Sequence, residues 1–165
     1  MKVIIGIDPG NTYSGYVIVE HDGKEIKQVL DRGKLHNNQI FDMLKSPQCK
    51  EYNLAIEMVE SYGMPVGREV FQTCVYIGRF LEVALSSGLA KDIQYIYRHE
   101  EKLNLCNTSR AKDSNIVQAL VDRFAPGEKN YGKGKKESPG FFYGFAKDAW
   151  QAMAVATTYF DKYIK

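Results

Sequence analysis

Val3-Ile4-Ile5-Gly6-Ile7-Asp8-Pro9-Gly10-Asn11-Thr12 is the stretch that decides how the rest of the chain is read. An apolar run of strand length delivers a carboxylate to its exit, and Pro9-Gly10 turns the backbone back beneath it. Asp8 therefore stands at the mouth of a sheet, where it can hold a divalent cation or face a phosphate. Asn53-Leu54-Ala55-Ile56-Glu57-Met58 repeats the arrangement: an apolar strand with Ile just before an acid. If the two strands are neighbours, their acidic tips meet. Strands disfavour Glu, so Glu57 is hard to explain as a filler residue. A third acid, Asp148, opens the last helix, Lys147-Asp148-Ala149-Trp150-Gln151-Ala152-Met153-Ala154-Val155-Ala156. The small Ala149, Ala152 and Ala156 let that helix lie close to the sheet and bring Asp148 within reach of the other two.

Two of the acids also have a plainer reading. Asp8 can be a turn-capping acid, and Asp148 an acid favoured by the positive end of a helix dipole. Glu60 competes with Glu57 for the second place, but Glu57 is preferred because it ends the apolar strand. Gathered together, the carboxylates would raise one another's pKa unless a cation neutralised them. Mg²⁺ and Mn²⁺, which prefer oxygen ligands, suit such a cluster, and two ions can assist phosphodiester cleavage.

Around these acids the chain reads as one domain over 1–165, 18.8 kDa with 44% apolar and 25% charged residues, enough to bury a full core. No apolar run approaches the ~20 residues that cross a bilayer. The start, with one Lys before a strand pattern, does not read as a signal peptide. Cys49, Cys74 and Cys106 lack metal-ligand spacing and are odd in number, so free thiols in a reducing cytosol are expected. The three His are scattered and form no zinc signature.

Strands are predicted over 2–8, 14–20, 25–33, 53–58 and 93–97. Helices are predicted over 36–46, 68–87, 112–124 and 146–163. Helix 68–87 has a core stripe of Val70, Cys74, Ile77, Leu81 and Leu85, widened by Phe71, Val75 and Phe80. Residues 127–144, rich in Gly, Lys and Pro, read as a mobile loop. Three early strands followed by alternating helix and strand imply an α/β fold: a mixed sheet covered by helices.

Taken together, IGIDPGNTYSGY, AIE followed by an apolar helix, and DAWQAMAVA resemble the RuvC family of Holliday-junction resolvases over nearly the whole chain. The opening motif alone also resembles the phosphate turn of actin-like ATPases, but those require two such domains and a far longer chain. The resemblance implies a ribonuclease H-like fold with three antiparallel strands, then parallel ones. It also implies a homodimer that cuts two opposed strands of branched DNA, a four-way junction, with Mg²⁺ or Mn²⁺. Asp8, Glu57 and Asp148 match the family's first, second and third acids, and are expected to be catalytic and to bind the metal. The family's fourth acid falls on Gln151, which can ligate through its carbonyl oxygen but carries no charge. Weaker or more Mn²⁺-dependent cleavage follows. The Glu57–Gly78 segment is longer than in cellular resolvases, which fits a divergent, phage-encoded branch acting in the bacterial cytoplasm.

The net charge of +2 gives no global basic field, but residues 129–136 hold four Lys and no acid. Arg98, Lys102, Arg110 and Lys112, with Lys129, Lys133, Lys135 and Lys136, are the candidate phosphate contacts. Any single lysine reads better as a solvated surface residue; it is the set of eight in under forty residues that favours backbone contacts. The resemblance places Lys102 or Lys112 nearest the scissile phosphate. Tyr62 and Met64, in the turn after Glu57, are the candidate wedge into the junction. The surplus apolar surface of helix 68–87 is expected to face a second copy of the chain. The rival expectations are a ribonuclease H-like nuclease acting on flaps or hybrids, and a junction-binding protein with vestigial catalysis.

Overall fold

The computed structural model describes residues 1–46 and 51–165, so Cys49 lies outside the described residues. In chain order the elements are β1 (Lys2–Asp8), β2 (Tyr13–His21), β3 (Ile26–His36), α1 (Asn37–Lys45), β4 (Tyr52–Met58), α2 (Arg68–Ser87) and β5 (Ala90–Tyr97). There follow α3 (Arg98–Cys106), α4 (Asp113–Phe124), a short hairpin of β6 (Gly134–Lys135) and β7 (Ser138–Pro139), and α5 (Lys147–Tyr159), which continues into a π-helical turn, Phe160–Ile164. The five long strands form one sheet in the order β3-β2-β1-β4-β5. β2 runs antiparallel to both of its neighbours, β1 and β3, whereas β4 and β5 run parallel to β1. This is the mixed α/β architecture expected from the sequence.

β1 is unbroken in its apolar character because it is the central strand, with helices on both faces. Its period-two alternation sorts its side chains between two cores. Ile4 joins Val17, Ala55 and Ile96 under α4 and α5, whereas Ile5 and Ile7 join Ile40, Phe41, Ile77 and Phe80 under α1 and α2. Gly6 and Gly15 take the place of side chains where α5 crosses the sheet. A Cβ on Gly6 would lie 2.6 Å from the Ala152 carbonyl oxygen and 2.9 Å from the Ala156 Cβ. One on Gly15 would lie 2.6 Å from the Asp148 carbonyl oxygen. The helix therefore rests on bare backbone, and small residues on both partners make this close seat possible.

Three expectations change. α2 occupies the predicted range and ends at Gly88, which adopts the left-handed conformation (φ 71°) of a helix stop. Its buried stripe, however, is Ile77, Phe80 and Ala84; Leu85, assigned to the core, is 59% exposed. The sheet takes the neighbouring face of a helix that is apolar on two. α3 was not anticipated at all.

The segment expected to be a mobile loop is built into the core. Gly140 N–H donates to the Lys133 carbonyl at 3.0 Å and Phe142 N–H to the Gly132 carbonyl at 3.1 Å. Phe142, fully buried, meets the Trp150 ring with centroids 4.5 Å apart, and Phe145 meets the same ring at 4.9 Å. Aromatic burial outweighs the loop-like composition of the flanking residues.

Gly15→Ala is expected to lower stability by about 1–3 kcal/mol, because the added methyl forces α5 off the sheet. Urea denaturation checks this; an unchanged midpoint would mean that the helix seat is not tight.

Candidate active site

Register determines where the acids go. Ile4, Gly6 and Asp8 alternate onto the α5 face of β1. On β4, Ala55 lies beside Gly6 and belongs to the α5-side core, so Glu57, two residues on, emerges on the same face as Asp8. Asp8 is paired across the antiparallel ladder with Gly15, and Gly15 is the residue on which the Asp148 backbone rests. Two hydrophobic strands and a helix seated on glycine thus bring Asp8, Glu57 and Asp148 to one sheet mouth.

The electrostatics report the crowding. Burial, then the negative charge of Asp148, pushes the Asp8 carboxyl up to about 6. Burial, then the Asp8 charge, pushes Glu57 up to about 8. The protonated Glu57 carboxyl donates a hydrogen bond to Asp8, which lowers Asp8 and raises Glu57, so the two titrate as a pair. Asp148 is half-exposed, with Lys34 Nζ 3.7 Å from its Oδ2. Gln151, one helical turn on, is half-buried. Among the described residues no three His, Cys, Asp or Glu side chains stand close enough to hold a metal ion as placed. Asp8 and Glu57 are bound to each other through a proton, and Asp148 is turned to Lys34.

Two groups at this mouth differ from the expectation. Glu101, on α3, was not singled out, yet it has no exposed surface. Burial, then the Glu57 charge, raises its carboxyl well above the usual range, against the pull of Arg98. Arg98, expected to meet phosphate, has its guanidinium engaged by acids: Nη1 donates to Glu101 Oε2 at 2.5 Å, and Nη2 bonds Asp113. At the start of α3, Tyr97 N–H donates to Glu100 Oε2 at 2.8 Å, but with Tyr in place of Ser or Thr at the cap the spacing carries no helix-start signature in the sequence.

The remaining candidates scatter over several elements. Tyr62 and Met64 are 69% and 73% exposed after β4, and Tyr62 donates to Glu60 Oε2 at 2.6 Å. Glu60 in turn lies 2.9 Å from His99 Nδ1, so the competing acid is engaged with its own neighbours. Lys102 lies on α3, Arg110 in the α3–α4 connection, and Lys112 at the start of α4. Lys129, Lys133, Lys135 and Lys136 lie on and beside the β6–β7 hairpin.

The raised acids have a consequence for stability. The folded protein retains a proton at Glu57 that the unfolded chain releases near the ordinary carboxylate value. Stability from this pair is complete at low pH and is lost as pH rises towards about 8. In EDTA, Glu57→Gln is expected to raise the melting temperature at pH 8 and flatten its pH dependence between pH 5 and 8. A slope identical to that of the wild type in thermal melts contradicts the pairing.

No protein-family model and no curated protein sequence matches this chain. Solved structures do. A Thermus thermophilus RuvC structure superposes with a TM-score of 0.67 at 20% identity, covering 96% of this chain and 93% of that one. T. thermophilus RuvC in complex with a Holliday junction substrate gives a TM-score of 0.67 at 16% identity, with the same coverage. Among the described residues no helix is long and apolar enough to cross a membrane. The chain has a RuvC-like fold, a mixed sheet of ribonuclease H type flanked by helices.

Proposed function

We propose that this protein is a divalent-metal-dependent endonuclease that binds four-way DNA junctions and hydrolyses phosphodiester bonds in opposed strands. The observation that carries the reading is the meeting of Asp8, Glu57 and Asp148 at one sheet mouth in a RuvC-like fold. A structural neighbour, T. thermophilus RuvC, is seen with a Holliday junction substrate.

The donor set fits Mg²⁺ or Mn²⁺. It consists only of hard oxygen, it is too crowded to ionise fully without a cation, and it includes a buried Glu101 oxygen with no hydrogen-bond partner. When bound, such ions lower the pKa of water and stabilise negative charge on phosphate oxygens. Asp8 and Glu57 would hold them at the strand tips, once Glu57 has given up the proton it shares with Asp8. Asp148 would complete the set from α5 on leaving Lys34, and Gln151 would offer a neutral carbonyl oxygen.

Lys102, Arg110 and Lys112 lie on the elements after β5 and supply positive charge for the DNA backbone, and the hairpin lysines add a second group. Arg98 orients acids and does not meet the DNA backbone, since both ends of its fork are occupied. Tyr62 and Met64 are exposed apolar groups next to the Glu57 strand end, which supports their use as a wedge between bases.

The second copy would sit on α2. Phe71, Val75 and Leu85 are each about three-fifths exposed, fall on one helical stripe with Gly78, and leave open space over Gly78. Two identical subunits offer two sites for two opposed cuts. The uncharged Gln151 favours a second reading, a junction-binding protein with vestigial catalysis.

Purified protein with a four-way junction is expected to cut in Mn²⁺, and less in Mg²⁺, with Asp8→Asn reducing the rate at least 100-fold while binding persists. Tight junction binding with no cutting in either metal selects the second reading. Preferential cutting of flaps or RNA–DNA hybrids selects a related nuclease. In sedimentation velocity the wild type is expected to run as a dimer and Phe71→Asp/Val75→Asp as a folded monomer; a dimeric double variant removes α2 from the interface.

A further inference from the structure

Glu101 is the most unusually placed acid in the molecule. It has no exposed surface, and one of its oxygens, Oε1, has no hydrogen-bond partner. Burying a carboxylate is unfavourable unless both its charge and its lone pairs are satisfied. A purely structural pair with Arg98 would use the bidentate geometry that guanidinium and carboxylate share. Here the fork is divided. Nη1 takes Glu101 Oε2 at 2.5 Å, and Nη2 is spent on Asp113 across the α3–α4 connection. The arrangement fixes the carboxylate by one oxygen and leaves the other unbonded.

That carboxylate belongs to the acidic mouth. β5 lies beside β4 with Ile96 opposite Glu57, and α3 begins at Arg98, two residues beyond Ile96. Glu101 follows by one helical turn, and α3 packs on α5, the helix that carries Asp148 and Gln151. Its charge interacts with both Glu57 and Asp8, the two strand-tip acids. The site therefore has a neutral amide at Gln151 and an additional, incompletely bonded carboxylate at Glu101.

We propose that Glu101 is a fourth carboxylate of the cation site, supplying through Oε1 the anionic oxygen that Gln151 cannot, with Arg98 and Asp113 holding it in position. This rests on the reading of Asp8, Glu57 and Asp148 as a site for Mg²⁺ or Mn²⁺. The charge count then returns to four acids, with the last one drawn from α3 instead of α5. Arg98 is a positioning residue in this scheme, because it acts through Glu101.

The test is Mn²⁺ binding to the intact protein, measured by titration calorimetry and by the free-Mn²⁺ electron paramagnetic resonance signal, beside melting temperatures in EDTA and in Mn²⁺. Glu101→Gln is expected to weaken Mn²⁺ binding at least tenfold and to reduce the Mn²⁺-induced rise in melting temperature. Its melting temperature in EDTA should be equal to or above that of the wild type, because a buried charge has been removed. Wild-type Mn²⁺ affinity in Glu101→Gln, with a lowered melting temperature in EDTA, overturns the proposal and leaves Glu101 as a structural partner of Arg98. If Glu101→Gln does not fold, Glu101→Asp keeps the charge for Arg98 but withdraws the oxygen by one methylene. It should weaken Mn²⁺ severalfold, and unchanged affinity overturns the proposal. Asp8→Asn separates the two levels. If it abolishes Mn²⁺ binding while the Glu101 variants bind as wild type, only the role of Glu101 fails. If Asp8→Asn binds as wild type, or the wild type binds no Mn²⁺, the underlying site fails and Glu101 with it.

Discussion

The contact between α5 and the backbone of Gly6 and Gly15 is the constraint on which this molecule is built. Any side chain at either glycine would collide with the helix. That single seat closes one core, aligns Ala152 and Ala156 along β1, and delivers Asp148 to the residue paired with Asp8. Packing and chemistry are inseparable here, because the helix that fills the hydrophobic layer also carries an acid at its exposed end. The opposite face, under α1 and α2, has no such role and can follow ordinary core packing.

The acidic mouth is held in a state that resists its own charge. Glu57 retains a proton by donating it to Asp8, Lys34 reaches Asp148, and Arg98 divides its fork between Glu101 and Asp113. Each arrangement is a local answer to the same problem, several carboxylates gathered where solvent is scarce.

Much of the sheet was legible because strand logic is short-range. Apolar runs ending in an acid identified β1 and β4, and their tips were expected to meet if the strands were neighbours; the observed register then sets Asp8 and Glu57 on one face. The limits of α2 were equally readable from its periodicity and Gly88. Which of its two apolar faces meets the sheet was not, since that depends on the position of α1 and β4. α3 escaped notice because Arg98-His99-Glu100-Glu101-Lys102 looks like solvated surface, and a buried Glu within a charged run has no local mark. Arg98 looked like a phosphate ligand for the same reason: its carboxylate partners are three and fifteen residues away and meet it only in the fold. In 127–144 the Gly, Lys and Pro content masked the real signal, the aromatic residues Phe141, Phe142 and Phe145.

Those aromatic residues have a bearing on how the protein can diverge. Because Phe142 and Phe145 clamp Trp150, the lysine-bearing hairpin is bolted to the same helix as Asp148 and is not a freely exchangeable appendage. The solvent-facing tip around Lys136 and Glu137 is the place along this stretch where a change of length would leave the core untouched. Between Gly140 and Trp150, loss of even one residue would shift the aromatic register and carry the Asp148 end of the helix with it.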